Sequence, residues 1–301
     1  HMYANYKDNN PSGGWGMQRV LDQSNAAQAR YGDPESPDYI ENFNIIAATN
    51  GSGYNMETGE PGGLLVMEGV EYHSSNGHLF FGILDDGSAM IGTHEEYGVL
   101  KAQGKVKEAI SAFGTPLIRN GEFAIDITSN PQYFNDRASR TAVGITATGK
   151  VVLMVLDGRQ EPFSCGGSMQ EIAQIMLEAG CVHAVNMDGG GSSTMLIRID
   201  DVLTLRNKPS DGAMRRGSNA IMLVEKTKET QQEPEQQPTE PTTNPTATEP
   251  TTTLATQPVT TTPPEPGVKT DVLIAIGIGT SAVVIGVAIA VVVNLGSKKR
   301  K

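Results

Sequence analysis

Cysteine and tryptophan are scarce in this chain, with two cysteines and one tryptophan in 301 residues, and aromatic residues make up only 5%. Two cysteines cannot form a disulfide scaffold, and Cys165 and Cys181 lack the paired spacing of a zinc site. They flank a predicted helix, and whether they bridge in an oxidising exterior stays open. Basic residues are also short: 23 Lys and Arg against 34 Asp and Glu give a formal net charge of −11. No Lys/Arg stripe with interleaved aromatics crosses the folded part, which argues against a nucleic-acid partner. An acidic protein that acts on an anion must draw positive potential from a few arginines and backbone amides, so individual arginines count for more than the total charge. His73, His78, His94 and His183 have no metal-like spacing. No motif requires a cofactor, and a divalent cation held by carboxylates stays open. The start of the chain shows no basic segment followed by an apolar run. His1-Met2 reads as a cloning remnant, and the natural N-terminus is expected upstream.

What is present divides unevenly. Residues 3–226 read as one folded domain, large enough to bury a core without metals or bridges. Residues 227–270 are rich in Thr, Pro, Glu and Gln, with recurring pieces such as Thr239-Glu240-Pro241 and Thr248-Glu249-Pro250. Such a stretch buries too little apolar surface to fold and reads as a disordered, extended stalk. From Val272 to Val293 the chain is uncharged and apolar, about the length of a bilayer-spanning helix. The expected transmembrane helix covers 271–295. The cluster Lys298, Lys299, Arg300 and Lys301 follows, and residues 296–301 read as a cytoplasmic tail by the positive-inside rule. The expectation is a single-pass protein of the cell membrane with its folded domain outside.

Within that domain, Met17 to Tyr31 reads as an amphipathic helix. Asn44 to Thr49 reads as a strand, and Leu64 to Met67 with Val70 to Tyr72 as a hairpin turning at Glu68-Gly69. Leu79 to Leu84 and Ala89 to Gly92 repeat the form, and Asn120-Gly121 turns a further hairpin. Val106 to Phe113 reads as a short helix. Thr141 to Thr146 and Lys150 to Leu156 pair as strands, the second apolar enough to be buried on both faces. Met169 to Ala179 is the strongest helix, capped by Ser168 and ended by Gly180. His183 to Met187, Thr194 to Ile199 and Ala220 to Val224 complete the strands. The fold class is α+β, with a mixed, largely antiparallel central sheet and flanking helices.

Chemistry concentrates at Asn186-Met187-Asp188-Gly189-Gly190-Gly191-Ser192-Ser193, where a strand ends at a carboxylate and a glycine run follows. Glycines permit backbone angles closed to other residues and close approach of a ligand. Their N–H groups can converge on an anion beside Asp188, with Ser192 and Ser193 as hydroxyl donors. Arg140-Thr141 and Asp157-Gly158-Arg159 fall at the same end of a predicted hairpin, where an arginine offers a fork for phosphate. Asn50, Asn55 and Tyr54, on a polar glycine-rich loop, could bind and stack on a sugar. Late in the chain, Asn207 and Arg216 are the residues of interest.

Taken in order from Trp15 to Val224, these segments resemble the phosphodiester glycosidase family. The resemblance rests on Asn186 to Ser193, on Arg140-Thr141-Ala142-Val143-Gly144, on Asp157-Gly158-Arg159, and on Arg206-Asn207-Lys208-Pro209-Ser210-Asp211-Gly212. Ser52-Gly53-Tyr54 stands where Gly-Phe-Phe is frequent. The resemblance implies hydrolysis of a sugar-1-phosphodiester to free sugar and phosphomonoester, and the expected stalk and anchor point to cell-surface or wall glycopolymers as the target. Asp188 would act at the anomeric carbon, with Arg140 and Asp157 completing the catalytic set. Asn50, Thr141, Arg159, Asn186, Gly189, Gly190, Gly191, Ser192, Ser193, Asn207 and Arg216 would contact substrate. The alternative reading is a membrane-anchored module that binds a glycosyl phosphate without cutting it.

Overall fold

The computed structural model describes residues 14–225 except Ser75, Asn76, Thr115 and Ile127, together with the backbone of Met2–Ala4, Leu273–Ile278 and Val287–Val293. In chain order the first strands are β1 (Met2–Ala4), β2 (Asn44–Asn50), β3 (Leu65–Met67), β4 (Val70–His73), β5 (Phe80–Leu84) and β6 (Ala89–Gly92). Next come β7 (Val106–Ser111), β8 (Pro116–Arg119), β9 (Glu122–Phe123), β10 (Arg140–Thr146) and β11 (Val151–Leu156). The last are β12 (Cys181–Asn186), β13 (Met195–Ile199), β14 (Val202–Leu205), β15 (Asn219–Glu225), β16 (Leu273–Ile278) and β17 (Val287–Val293). The helices are α1 (Val20–Gly32), α2 (His94–Ala102), α3 (Pro131–Asn135) and α4 (Met169–Glu178).

Instead of one central mixed sheet there are three, ordered β1-β15-β2-β13-β14, β16-β17-β11-β10-β12-β8-β9 and β4-β3-β7-β5-β6. Neighbouring strands whose register is defined run antiparallel, as the short turns between them require. All three sheets turn one face to a shared core. Ala47, Ile197 and Ile221 come from the first, Val143, Leu153 and Val185 from the second, and Leu65, Phe81 and Ile110 from the third. Their alternate residues face the helices. Ala142, Met154 and Ala184 pack with Ile172 and Met176 of α4. Ala48 and Met222 pack with Ala27 and Tyr31 of α1, and Val66 and Phe80 with Tyr97 of α2. Every residue of β11 is fully buried, which explains its unbroken apolar run.

Turn chemistry follows the residues. Glu68 and Gly69 both take positive φ, 52° and 82°, in the hairpin of β3 and β4. Ser168 accepts from the Glu171 amide and Glu171 returns a carboxylate to the Ser168 amide, closing a capping box on α4.

Two expectations change and one open question closes. Val106 to Phe113 is not a helix: β7 lies between β3 and β5 with Ala109 and Ile110 fully buried, and that central position overrides the local charge pattern of Lys107 and Glu108. The helix of this region is α2, whose capping box joins Thr93 and Glu96. Cys165 and Cys181 are unbridged thiols, and burial among apolar side chains pushes Cys181 up to about 12. Finally, no described helix is long and apolar enough to cross a membrane. The portions of the expected span that are described are strands, with β17 pairing along β11 and β16 along β17. The physical reason is composition, since a Val- and Ile-rich run suits an open sheet edge as well as a bilayer. The stalk, 227–270, and the basic tail, 296–301, lie outside the described residues.

Candidate active site

The site forms where strands from two sheets end together. Arg140 opens β10 opposite Leu156, which places it beside Asp157 as the hairpin predicts. Asp188 lies just beyond β12, and Asn50 closes β2. The Asn50 carboxamide, 5% exposed, joins these ends. Its Nδ2 donates to the Asp188 carbonyl at 2.7 Å. Its Oδ1 accepts from the Thr141 hydroxyl at 2.9 Å and the Thr194 amide at 3.1 Å. The Asp188 amide donates to the Gly51 carbonyl at 3.1 Å. Asn50 is thus spent inside the protein, positioning Asp188.

The Asp188 carboxyl is half-buried. Desolvation raises it above the usual carboxylate value, opposed by the Ser192 hydroxyl, the Gly189 amide and the charge of Arg215. Ser192 Oγ is buried without a hydrogen bond of standard geometry, yet it borders both Asp188 and the Tyr54 phenol closely enough to favour their ionised forms. Tyr54 donates to the Arg216 carbonyl at 2.7 Å. Burial raises its phenol, which therefore stays protonated.

Arg140 is 5% exposed. Its guanidinium donates to the carbonyls of Gly167 (3.1 Å) and Asp136 (2.7 Å) and lies over the Tyr133 ring at 5.5 Å. Burial lowers it and the like charge of Arg159 lowers it further, yet a guanidinium stays protonated. Arg159 is exposed and takes φ 58°, a left-handed conformation that costs a β-carbon residue on the order of 1 kcal/mol. That backbone lays its guanidinium on Gly190. Gly190 is itself left-handed at φ 61°, and a Cβ there would stand 3.1 Å from Arg159 Nη1. Gly191 similarly leaves no room for a Cβ, because the Arg215–Asp211 ion pair, 2.7 Å, fills the space. Among the described residues neither Arg140 nor Arg159 has a carboxylate at ion-pair distance.

The expected amide cradle takes another form. The amides of Gly190, Ser192 and Ser193 donate to the carbonyls of Ser139, Gly189 and Gly190 in a 3₁₀ turn over Gly190–Ser192. The Gly189 amide turns to Asp188 itself. The Gly190, Ser192 and Ser193 amides are thus spent on backbone carbonyls, and the cations nearest the turn are the guanidinium groups of Arg140, Arg159 and Arg215.

Asp157 was expected among the catalytic residues. Its carboxylate is 2% exposed and accepts from Asn207 Nδ2 and the Lys208 amide, each at 3.0 Å. Burial raises it, with those donors and the Lys208 charge opposing. Asn207 also donates to the Ser193 carbonyl and accepts from the Met195 amide, so the pair braces the glycine turn from behind. Ser193 and Thr141 meet hydroxyl to hydroxyl at 3.2 Å in the interior. Asn186 donates to the Phe113 carbonyl at 2.9 Å, and its buried Oδ1 has no partner. The Arg216 side chain is exposed and lies near Asp22, so its part in the site is its carbonyl. The sequence did not single out Tyr133, whose phenol feels both Arg140 and Asp188, or Arg215, which feels Asp188 and Tyr54. The Asp211/Arg215 spacing was the readable sign of the latter. Among the described residues no three His, Cys, Asp or Glu side chains gather as a metal site.

A half-buried carboxylate, two guanidinium groups that have no carboxylate partner among the described residues and a glycine turn between them suit an anionic substrate. A phosphodiester glycosidase profile matches residues 43–224, and the chain belongs to that family. It is similar to the N-acetylglucosamine-1-phosphodiester alpha-N-acetylglucosaminidase of Bos taurus, 34% identical over 178 residues, covering 54% of this chain and 32% of that protein. The Homo sapiens enzyme of that name is 32% identical over 178 residues, 54% of this chain and 33% of that protein. The chain thus spans about a third of the length of these curated relatives. A solved zebrafish catalytic domain of that name, described as auto-inhibited by its pro-peptide, shares the fold. It gives a TM-score of 0.57 at 22% identity, covering 70% of this chain and 68% of that one.

Asp188 is carried at a cost to stability. A carboxyl raised by folding contributes stability that is present below its unfolded value, about 3.9, and lost as pH rises through the folded one. Asp188→Asn is therefore expected to raise the melting temperature at pH 7, with the difference closing by about pH 3, as thermal unfolding followed by circular dichroism will show.

Proposed function

We propose that the chain hydrolyses the bond between the anomeric carbon of a sugar and a phosphodiester, releasing free sugar and a phosphomonoester. The observation that carries this reading is the pair Arg140 and Arg159. Their like charges repel across the turn that follows Asp188. An anion between them relieves the repulsion and is attracted by both. The phosphate would take that position, and the sugar C1 would then face the Asp188 carboxylate.

Asp188, ionised, would act at C1 as nucleophile or as base for water, while the guanidinium groups stabilise the charge that develops on the departing phosphate. A phosphodiester departs as a stable anion, so the site needs little general-acid assistance. The raised Tyr133 phenol would stay neutral and donate a hydrogen bond without adding charge, while the Tyr54 hydroxyl stays on the Arg216 carbonyl. Asn50, Thr141, Ser193, Asp157 and Asn207 would hold this geometry from beneath. The resemblance to enzymes named for N-acetylglucosamine favours that sugar, and a glycopolymer of the cell surface or wall is the natural substrate in this reading.

Release of reducing sugar from a synthetic alkyl diester of N-acetylglucosamine 1-phosphate tests the proposal. Asp188→Asn is expected to lower kcat by on the order of 10³-fold or more. Arg159→Ala is expected to raise KM by about 10- to 100-fold, the loss of one charge-assisted contact. Saturable binding of the diester without release would instead establish a binding module.

The proposal extends to location: the apolar run and basic tail anchor the domain to the cell membrane, leaving it outside. Support comes from the uncharged length of the run and the four cations after it. With an anchor, the full chain resists alkaline extraction from membranes, and deleting 271–301 leaves the domain's melting temperature unchanged. If the run serves only as edge strands on β11, the chain extracts and the deletion destabilises the domain.

A further inference from the structure

Phe113 follows β7, in the bend that leads to β8, and the residue is 43% exposed. Single exposed aromatics are common on protein surfaces, but this one is held in place from three sides. Its amide donates to the Asn186 carbonyl at 2.9 Å, and Asn186 Nδ2 donates to the Phe113 carbonyl at 2.9 Å. This reciprocal clamp ties Phe113 to the strand end two residues before Asp188. The ring lies against the backbone of Gly53, where no Cβ fits, and Gly53 precedes Tyr54. On the other side, Gly114 takes φ 93°, and a Cβ there would stand 3.6 Å from the Tyr133 hydroxyl. Tyr133 in turn lies under the Arg140 guanidinium. Phe113 therefore sits between the Tyr54 loop and the Tyr133 helix, on the rim around Asp188.

Tyr54 is engaged elsewhere: its hydroxyl is held by the Arg216 carbonyl and its ring edge lies 3.8 Å from where a Gly217 Cβ would be. Phe113 offers this rim an exposed, purely apolar ring. The face of an aromatic ring is electron-rich and attracts the weakly positive C–H bonds on the face of a pyranose. Guanidinium groups that seat a phosphate do nothing for the neutral ring attached to it, and an apolar surface meets that need.

We propose that Phe113 is the platform on which the sugar ring of the substrate lies, so that it sets recognition of the sugar separately from recognition of the phosphate. This rests on the phosphodiester glycosidase reading above. The residue positions substrate and takes no part in bond making.

The test uses the full chain, Phe113→Ala and Phe113→Trp, with the alkyl diester of N-acetylglucosamine 1-phosphate as substrate and two inhibitors, free N-acetylglucosamine and inorganic phosphate. Phe113→Ala is expected to raise KM and the inhibition constant of the free sugar each about tenfold, with kcat and the inhibition constant of phosphate unchanged. Phe113→Trp is expected to restore sugar binding. Unchanged sugar inhibition in Phe113→Ala, equal loss of phosphate inhibition, or failure of Trp to restore would each overturn the proposal. Should the wild-type chain release no sugar, the hydrolase reading fails by itself. Saturation-transfer NMR with free N-acetylglucosamine then decides the platform: binding to wild type that Phe113→Ala loses supports it, and binding equal in both, or absent from wild type, overturns it.

Discussion

A single buried carboxamide fixes the geometry of the site. Asn50 binds the Asp188 carbonyl, the Thr141 hydroxyl and the Thr194 amide, and so joins the ends of β2, β10, β12 and β13 at one point. Strand ends fray unless their polar groups are satisfied, and in an apolar interior each such bond is strong and its loss costly. The second support is Asp157 with Asn207, which grips the Ser193 carbonyl and the Lys208 amide behind the glycine turn. With both supports in place, Asp188 projects from an over-determined backbone and its side chain alone is left for chemistry.

The electrostatics follow from this frame. Burial disfavours the charge on Asp188, and burial plus a like charge disfavours that on Arg140. Arg159 adds a left-handed backbone to bring a second cation to Gly190. None of these features stabilises the fold. Unfavourable groups that cluster beside a glycine turn, on a chain whose net charge is −11, mark a place where stability has been exchanged for a binding field. Two sheets supply the walls. Arg140, Asp157 and Asp188 come from strands of the β10–β11–β12 sheet, while Asn50 and Thr194 come from the neighbouring one.

Local chemistry made much of this readable. Gly189-Gly190-Gly191 after an apolar strand pointed to Asp188 as the candidate carboxylate, and the β10–β11 hairpin put Arg140 and Asp157 at one end of the sheet. Glu68-Gly69 and Ser168 fixed a turn and a cap. Side-chain direction was another matter. Asn50, Asp157 and Asn207 have the residue types of ligands, yet they turn inward because each satisfies a buried backbone group, a fact set by strands distant in sequence. The Gly190, Ser192 and Ser193 amides looked available until the backbone carbonyls of Ser139, Gly189 and Gly190 took them. Tyr133, Arg215 and Phe113 reach the site only through packing between segments far apart in the chain, which no local pattern records. The β7 strand was hidden for the same reason, since its central place depends on β3 and β5 lying on either side.

The central claim is that Asp188 directs attack at the anomeric carbon while the arginines hold the departing phosphate. Hydrolysis of a sugar-1-phosphodiester in ¹⁸O-labelled water, followed by mass spectrometry of both products, tests it most directly. The account predicts label in the C1 hydroxyl of the released sugar and none in the phosphomonoester. Label in the phosphate would show attack at phosphorus and contradict the account.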